Sequence, residues 1–232
     1  MEIDDILADV DQSFAAQTRG AGAGVGDAAS AAADLQELTR RWVAERVAPE
    51  VLPWPDALME RVMDRVRAQI ELVEEQTGNM DPKANFRLIL YQTELERFKF
   101  LVRSFLRARI AKIDKYALHT LSTPAVLSRL SLPERQYLSQ HQALLSSHYA
   151  ASFLAQFPEK LQRLDDNAGG VSMIDAPDAD AAVFCRVLRD CGVVAVGGVD
   201  EETEVDMNRG DVLVVRWSVV RERVLAGDVE LI

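Results

Sequence analysis

Down to about residue 157 the apolar residues recur at helical spacing, and beyond residue 180 they alternate in short runs. The first strong helical pattern is "DLQELTRRWVAERVAPEVLPW", in which Leu35, Leu38 and Trp42 share a face. Asp34 with Glu37 three residues on predicts an N-cap there, and Pro49, Pro53 and Pro55 predict the end. In "DALMERVMDRVRAQIELVEEQTGN" the predicted buried stripe is Met59, Val62, Met63, Val66, Ile70 and Val73, closed by Gly78 and Pro82. A third helix is predicted over residues 84–118, with no internal Gly or Pro. Its second half is too apolar for one stripe, since Phe98, Leu101, Val102, Phe105, Leu106, Ile110 and Ile113 cover more than one side. Such a helix is expected to meet neighbours on two faces. Ser131 and Glu134 then form a capping-box pattern that opens a fourth helix, running to about Phe157.

The pattern changes at "DDNAGGVSMIDAPDADA", a Gly-, Pro- and Asp-containing connector. After it come "AAVFCRVLRD", "VVAVGGV", "TEVDM" and "DVLVVRW", β-branched runs parted by turn residues, and a last alternating segment "LAGDVELI". The predicted class is therefore α+β. Residues 34–164 form a four-helix domain, 165–180 a linker and 181–232 a small β-rich domain.

Two stretches precede these domains. Ile3, Ile6, Leu7, Val10 and Phe14 fall on one helical stripe, with Asp4, Asp5, Asp9 and Asp11 on the other faces. Residues 15–33 are small and aperiodic and read as a flexible linker. An isolated helix of about a dozen residues is marginal in water. Residues 1–14 are thus either a frayed acidic terminus or a short motif that folds in a partner's groove.

At 232 residues with 48% hydrophobic content, the chain has the length for a sizeable core. No apolar run approaches the ~20 residues of a membrane helix. The acidic start also lacks the positive n-region of a signal peptide, so a soluble, unsecreted protein is expected. A net charge of −11 opposes broad phosphate binding. Cys185 and Cys191 supply neither a disulfide framework nor a four-ligand zinc site, and read as ordinary thiols.

Candidate chemistry is sparse. No G-x-S-x-G, P-loop or H-E-x-x-H motif occurs. Gly22, Gly24 and Gly26 follow no predicted strand, as a dinucleotide-binding turn requires. His141 and His148 lie seven apart, about 10 Å along a helix, too far to share a metal unaided. The run Asp200 to Asp206 lacks calcium-loop spacing and reads as a solvated loop. Basic residues do concentrate on the long helix, where Lys99, Arg103 and Arg107 make one ridge beside Arg97, Arg109, Lys112 and Lys115. Two readings stay open: ion pairs within a bundle or subunit interface, with Glu71, Glu74, Glu75, Glu94 and Glu96 near in sequence, or contact with nucleic acid.

The order of parts resembles a known family. A helix ending in "WVAERVAPEVL", the long "ELERFKFLVRSFLRARIAKIDKY" helix, the "LSLPERQYL" helix and a β-domain closing on "VELI" are similar to the Sld-five type of GINS subunit. The most specific run is Arg103, Phe105, Leu106, Arg107, Arg109, Lys112 and Ile113, with Asp114 as its acidic member. The like-ordered Psf-one type is the alternative. The resemblance implies a non-catalytic, nuclear scaffold without cofactors, one of four subunits that join the Cdc-forty-five protein on the MCM hexamer in a replicative helicase. It implies a subunit interface through Phe98, Val102, Arg103, Phe105, Leu106, Arg107, Arg109, Lys112 and Ile113, and through Val229, Leu231 and Ile232. It also implies, for a fungal protein, that Ile3, Asp4, Asp5, Ile6, Leu7 and Val10 enter a groove of a trimeric Ctf-four-type adaptor. Residues 15–33 would then tether the motif with a reach near 25 Å.

Overall fold

The computed structural model describes residues 25–76, 82–165, 172–198 and 201–232. Its helices are α1 (Val25–Val47), α2 (Asp56–Gln76), α3 (Pro82–Lys115), α4 (Ala117–Ser122), α5 (Pro124–Leu127), α6 (Leu132–Ser152) and α7 (Trp217–Ala226). Its strands are β1 (Ala182–Val187), β2 (Gly192–Gly198), β3 (Glu201–Met207), β4 (Val212–Arg216) and β5 (Val229–Leu231). An N-terminal helical bundle is followed by a small β-rich domain, as the sequence pattern predicts. The proposed motif residues Ile3, Asp4, Asp5, Ile6, Leu7 and Val10 lie outside the described residues, as does Gly78.

Two compact units divide the chain. Of the described residues, one joins those from Val25 to Thr39 with Pro55–Ser104, and the other joins Arg40–Trp54 with Phe105–Ile232. In the first, Leu38, Leu58, Met59, Val62, Val66, Tyr91, Leu95 and Val102 are buried. Here α1 corrects the predicted boundary. It begins at Val25, not at Asp34, because the alanines of residues 28–33 are strong helix formers that need no apolar period. Asp34 is therefore no N-cap. It sits inside α1, 5% exposed, and its Oδ1 accepts from Arg61 Nη2 at 2.9 Å while Arg65 Nη2 lies 3.3 Å from Oδ2. On α2, Met59, Val62 and Val66 are buried as expected, but Met63 is exposed and Leu58 takes a core place.

The second unit holds two clusters. Val51, Ile113, Ala117, Leu130 and Leu138 make the helical one. The Ser131–Glu134 capping box forms as predicted, with Ser131 N–H donating to Glu134 Oε2 at 2.8 Å, and α6 ends at Ser152 rather than near Phe157. The predicted long helix likewise stops at Lys115 and resumes as α4 after Tyr116.

The other cluster is the core of the β-rich domain. Strand β1 is central in the order β4-β1-β5, antiparallel to both neighbours, with Phe184 opposite Val214 and Cys185 opposite Leu231. Val183, Cys185 and Val187 point inward, meeting Val194, Met207, Val215, Trp217, Val220, Val229 and Leu231. The β2–β3 hairpin takes in Glu201–Met207, so most of the acidic run read as a loop is a paired strand. The sequence pattern also missed α7, which is closed by Gly227 at φ +81°, a left-handed C-cap that glycine adopts without strain.

Candidate interaction surfaces

The basic run of α3 separates into buried and exposed groups. Arg109 is fully buried and spends all five of its N–H donors. Nε donates to Glu134 Oε1 at 2.7 Å and Nη2 to Oε2 at 3.1 Å, a bidentate pair. Nη1 donates to Glu45 Oε2 at 3.0 Å and to the Leu52 carbonyl at 2.8 Å, and Nη2 reaches the Arg129 carbonyl at 3.3 Å. The guanidinium also lies 5.2 Å from the Trp54 ring and 5.6 Å from that of Phe105. Burial opposes its charge, but Glu134 and Glu45 outweigh that and hold its pKa above the ordinary value. Lys112 is one turn on, donating to Glu45 Oε1 and to the Glu50 carbonyl, both at 2.9 Å. For this ammonium burial wins over Glu45, and its pKa is lowered.

These geometries reassign several predicted interface residues. Val102, Phe105, Arg109, Ile113, Val229 and Leu231 are buried within this chain, so their side chains hold its own cores together and are not available to a neighbour's surface. A run apolar on two sides signals two contacts, and the chain itself supplies those contacts at these positions. The acidic partners of Arg109 and Lys112 are Glu45 and Glu134, distant in sequence, rather than the glutamates near them. Phe98 and Leu106 are half-buried, Ile232 is 38% exposed, and Arg103 and Arg107 are exposed. On the ridge, Lys99 pairs with Glu96 at 3.2 Å and Arg103 approaches the same carboxylate at 3.8 Å. Paired charges in water are worth little each, and here they dilute any phosphate-binding stripe.

Two apolar surfaces stand open instead. In the first unit an open groove of about 720 Å³ runs along α3 beside Leu35. It is lined by Ile89 and Phe100, 59% and 57% exposed, with Phe98 and Leu101. In the second unit the outer face of the three-stranded sheet carries Phe184, Val212 and Val214, each more than half exposed. Strand pairing sets Phe184 directly against Val214. An antiparallel sheet facing water normally shows polar residues outward, so large apolar side chains here mark a surface made for covering.

Among the described residues no converging set of acid, base and nucleophile accompanies these surfaces. His141 stacks on Tyr137 at 5.5 Å, with Nδ1 3.6 Å from Asp114 Oδ1. Among the described residues no three His, Cys, Asp or Glu side chains are grouped to hold a metal, and no helix is long and apolar enough to cross a membrane.

Comparison with known proteins agrees with both domains. Residues 63–153 match the model of the GINS complex protein helical bundle domain, and residues 177–232 match that of the DNA replication complex GINS protein SLD5 C-terminus. A protein of Chaetomium globosum named DNA replication complex GINS protein SLD5 is 51% identical over the whole of both chains. The like-named protein of Schizosaccharomyces pombe is 44% identical over 86% of this chain and 92% of its own. That of Arabidopsis thaliana is 32% identical over 86% and 91%.

Proposed function

The chain belongs to the SLD5 family of GINS complex proteins, and on that footing we propose that it is a non-catalytic scaffold subunit of the heterotetrameric GINS complex in the nucleus. It acts by presenting surfaces. The groove along α3 and the outer face of the β-sheet take sister subunits, and the assembled complex joins the MCM hexamer and the Cdc-forty-five protein in the replicative helicase. The observation that carries this reading is the pair of exposed apolar surfaces, Ile89 with Phe100 and Phe184 with Val214. Membership of the SLD5 family decides against the Psf-one alternative. The paired charges of the α3 ridge leave direct DNA contact as the weaker reading.

A second surface belongs to the N-terminus. Residues 3–10, with Ile3, Ile6, Leu7 and Val10 on one stripe and Asp4 and Asp5 near the positive end of the helix they would form, suit helix-in-groove recognition by a Ctf-four-type adaptor. Residues 15–24, ahead of α1, tether it.

Co-expression tests the main reading. The full chain is produced alone and with the three sister subunits, and mass is measured by light scattering. A 1:1:1:1 complex, with the lone chain aggregating, is the expected result. A well-folded monomer that ignores the sisters would sink it.

A further inference from the structure

The segment between α1 and α2 serves two cores at once. Val51 is buried in the helical cluster of the second unit, while Ala48 and Leu52, the residue after Val51, are buried in the core of the β-rich domain. The adjacent side chains of Val51 and Leu52 enter different cores, so residues 50–54 act as a strap with one face for each body. The last turns of α1 extend the same contact. Ala44 and Val47 pack against the β-domain core, and Arg40 Nε lies 3.4 Å from Glu230 Oε1.

Glu50 carries the polar part of this junction. Its Oε1 faces the β-rich domain, in an ion pair 2.6 Å from Arg221 Nε and accepting from Trp217 Nε1 at 3.2 Å, both on α7. Its Oε2 faces the helical body, 3.0 Å from Arg129 Nη1. Its carbonyl takes Lys112, and the neighbouring Val51 carbonyl takes Arg129 Nη1 at 3.3 Å. On the helical side the strap is therefore tied at several points. On the β side the strap's ties to α7 run through one carboxylate oxygen, Glu50 Oε1.

We infer that Glu50 is the latch that fixes the β-rich domain on the helical body, so that the domain is held at one orientation rather than hung from the connector before β1. The plane of weakness lies between the strap and α7. Opening there exposes Ala48 and Leu52. The inference goes beyond the proposed assembly and does not depend on which partner covers the outer sheet face.

Hydrogen exchange of the full-length protein, purified with the partners it assembles with, tests the latch. Three variants are compared: Glu50→Gln, Arg221→Ala and, as a control on the same helix, Glu222→Ala. Hydrogen bonds to a charged group are strong enough that losing one should raise amide exchange in α7 and β1 about tenfold. Exchange in α6 should be unchanged, and the control should match the parent. The side chain of Arg221 is 40% exposed, so its truncation leaves no cavity and keeps the test available if Glu50→Gln does not fold. Unchanged exchange in α7 for Arg221→Ala, or an equal rise in α6, would overturn the inference, because the carboxylate would then be either idle or a general stabiliser.

Discussion

Glu134 holds Arg109 through both carboxylate oxygens, at 2.7 and 3.1 Å, while the same carboxylate closes the capping box of α6. One side chain thus ties the start of α6 to the interior of α3. Arg109→Ala leaves Glu134 a buried charge with only Ser131 to bond and Glu45 with Lys112 alone, and breaking one partner of a buried pair costs about 3–5 kcal/mol. Arg109→Lys is expected to be nearly as harmful, since three donors on a point charge cannot replace a five-donor fork. By contrast Ser131→Ala removes one cap contact and should cost about 1 kcal/mol. Thermal unfolding of the purified assembly, read by circular dichroism, ranks the three. Equal midpoints for Arg109→Ala and the parent would remove the central tie.

The two thiols should behave differently. Cys185 is buried on β1, and desolvation raises its pKa above the ordinary 9.0, against the opposing backbone hydrogen bond to Leu213. A raised folded pKa gives stability that is fully present below the unfolded value and is lost as pH rises through the folded one. The β-rich domain should therefore weaken as pH climbs above about 9, an effect that Cys185→Ala removes at the cost of some packing. At pH 8 a disulfide reagent should label Cys191, which is half-buried, and leave Cys185 until the protein unfolds. Labelling of both at one rate would contradict the placement.

Charge on the outer sheet face should disable assembly without unfolding the chain. Phe184→Asp alters a side chain already 57% exposed, so its effect on the fold should stay within about 1 kcal/mol. Co-purification with the sister subunits should fall sharply. Phe100→Asp makes the matching test on the α3 groove. If both variants assemble normally, the interface lies elsewhere.

Ile6→Ala with Leu7→Ala tests the N-terminal motif. The double variant should bind a trimeric Ctf-four-type adaptor at least about tenfold more weakly in fluorescence anisotropy, since each truncation removes apolar area worth roughly 1.5–3 kcal/mol when fully buried. Assembly with the sisters should not change. Undiminished adaptor affinity would return residues 1–14 to a frayed acidic terminus.

Much of the architecture was legible because it rests on local rules. The capping residues of α6, the β1 alternation of Val183, Cys185 and Val187, and the strand runs all announce themselves within a few positions. What escaped depended on distance or on competing propensities. "WSVVRERV" contains enough β-branched valine to continue a strand, yet Trp217 and Val220 are buried from a helix. Val25–Ala33 has no apolar period, so a helix there is visible only as alanine content. The basic run of α3 was visible as chemistry but not as location. Nothing near Arg109 in sequence says that its partner Glu45 lies 64 residues away, so ion pairs within the bundle were foreseeable but not their partners.

The hydrogen bond from Trp217 to Glu50 spans 167 residues, and that separation bears on how the protein is made. The strap leaves the ribosome long before α7 does. At roughly 5–20 residues per second, about ten to thirty seconds pass in between. Throughout that interval Ala48 and Leu52 have no β-domain core to enter. A contact of such long range also forms slowly once both ends exist, because the loop must close before any burial rewards it. The nascent helical bundle is thus born with an unfilled apolar seam, the point at which a chaperone or a wrong neighbour would first take hold.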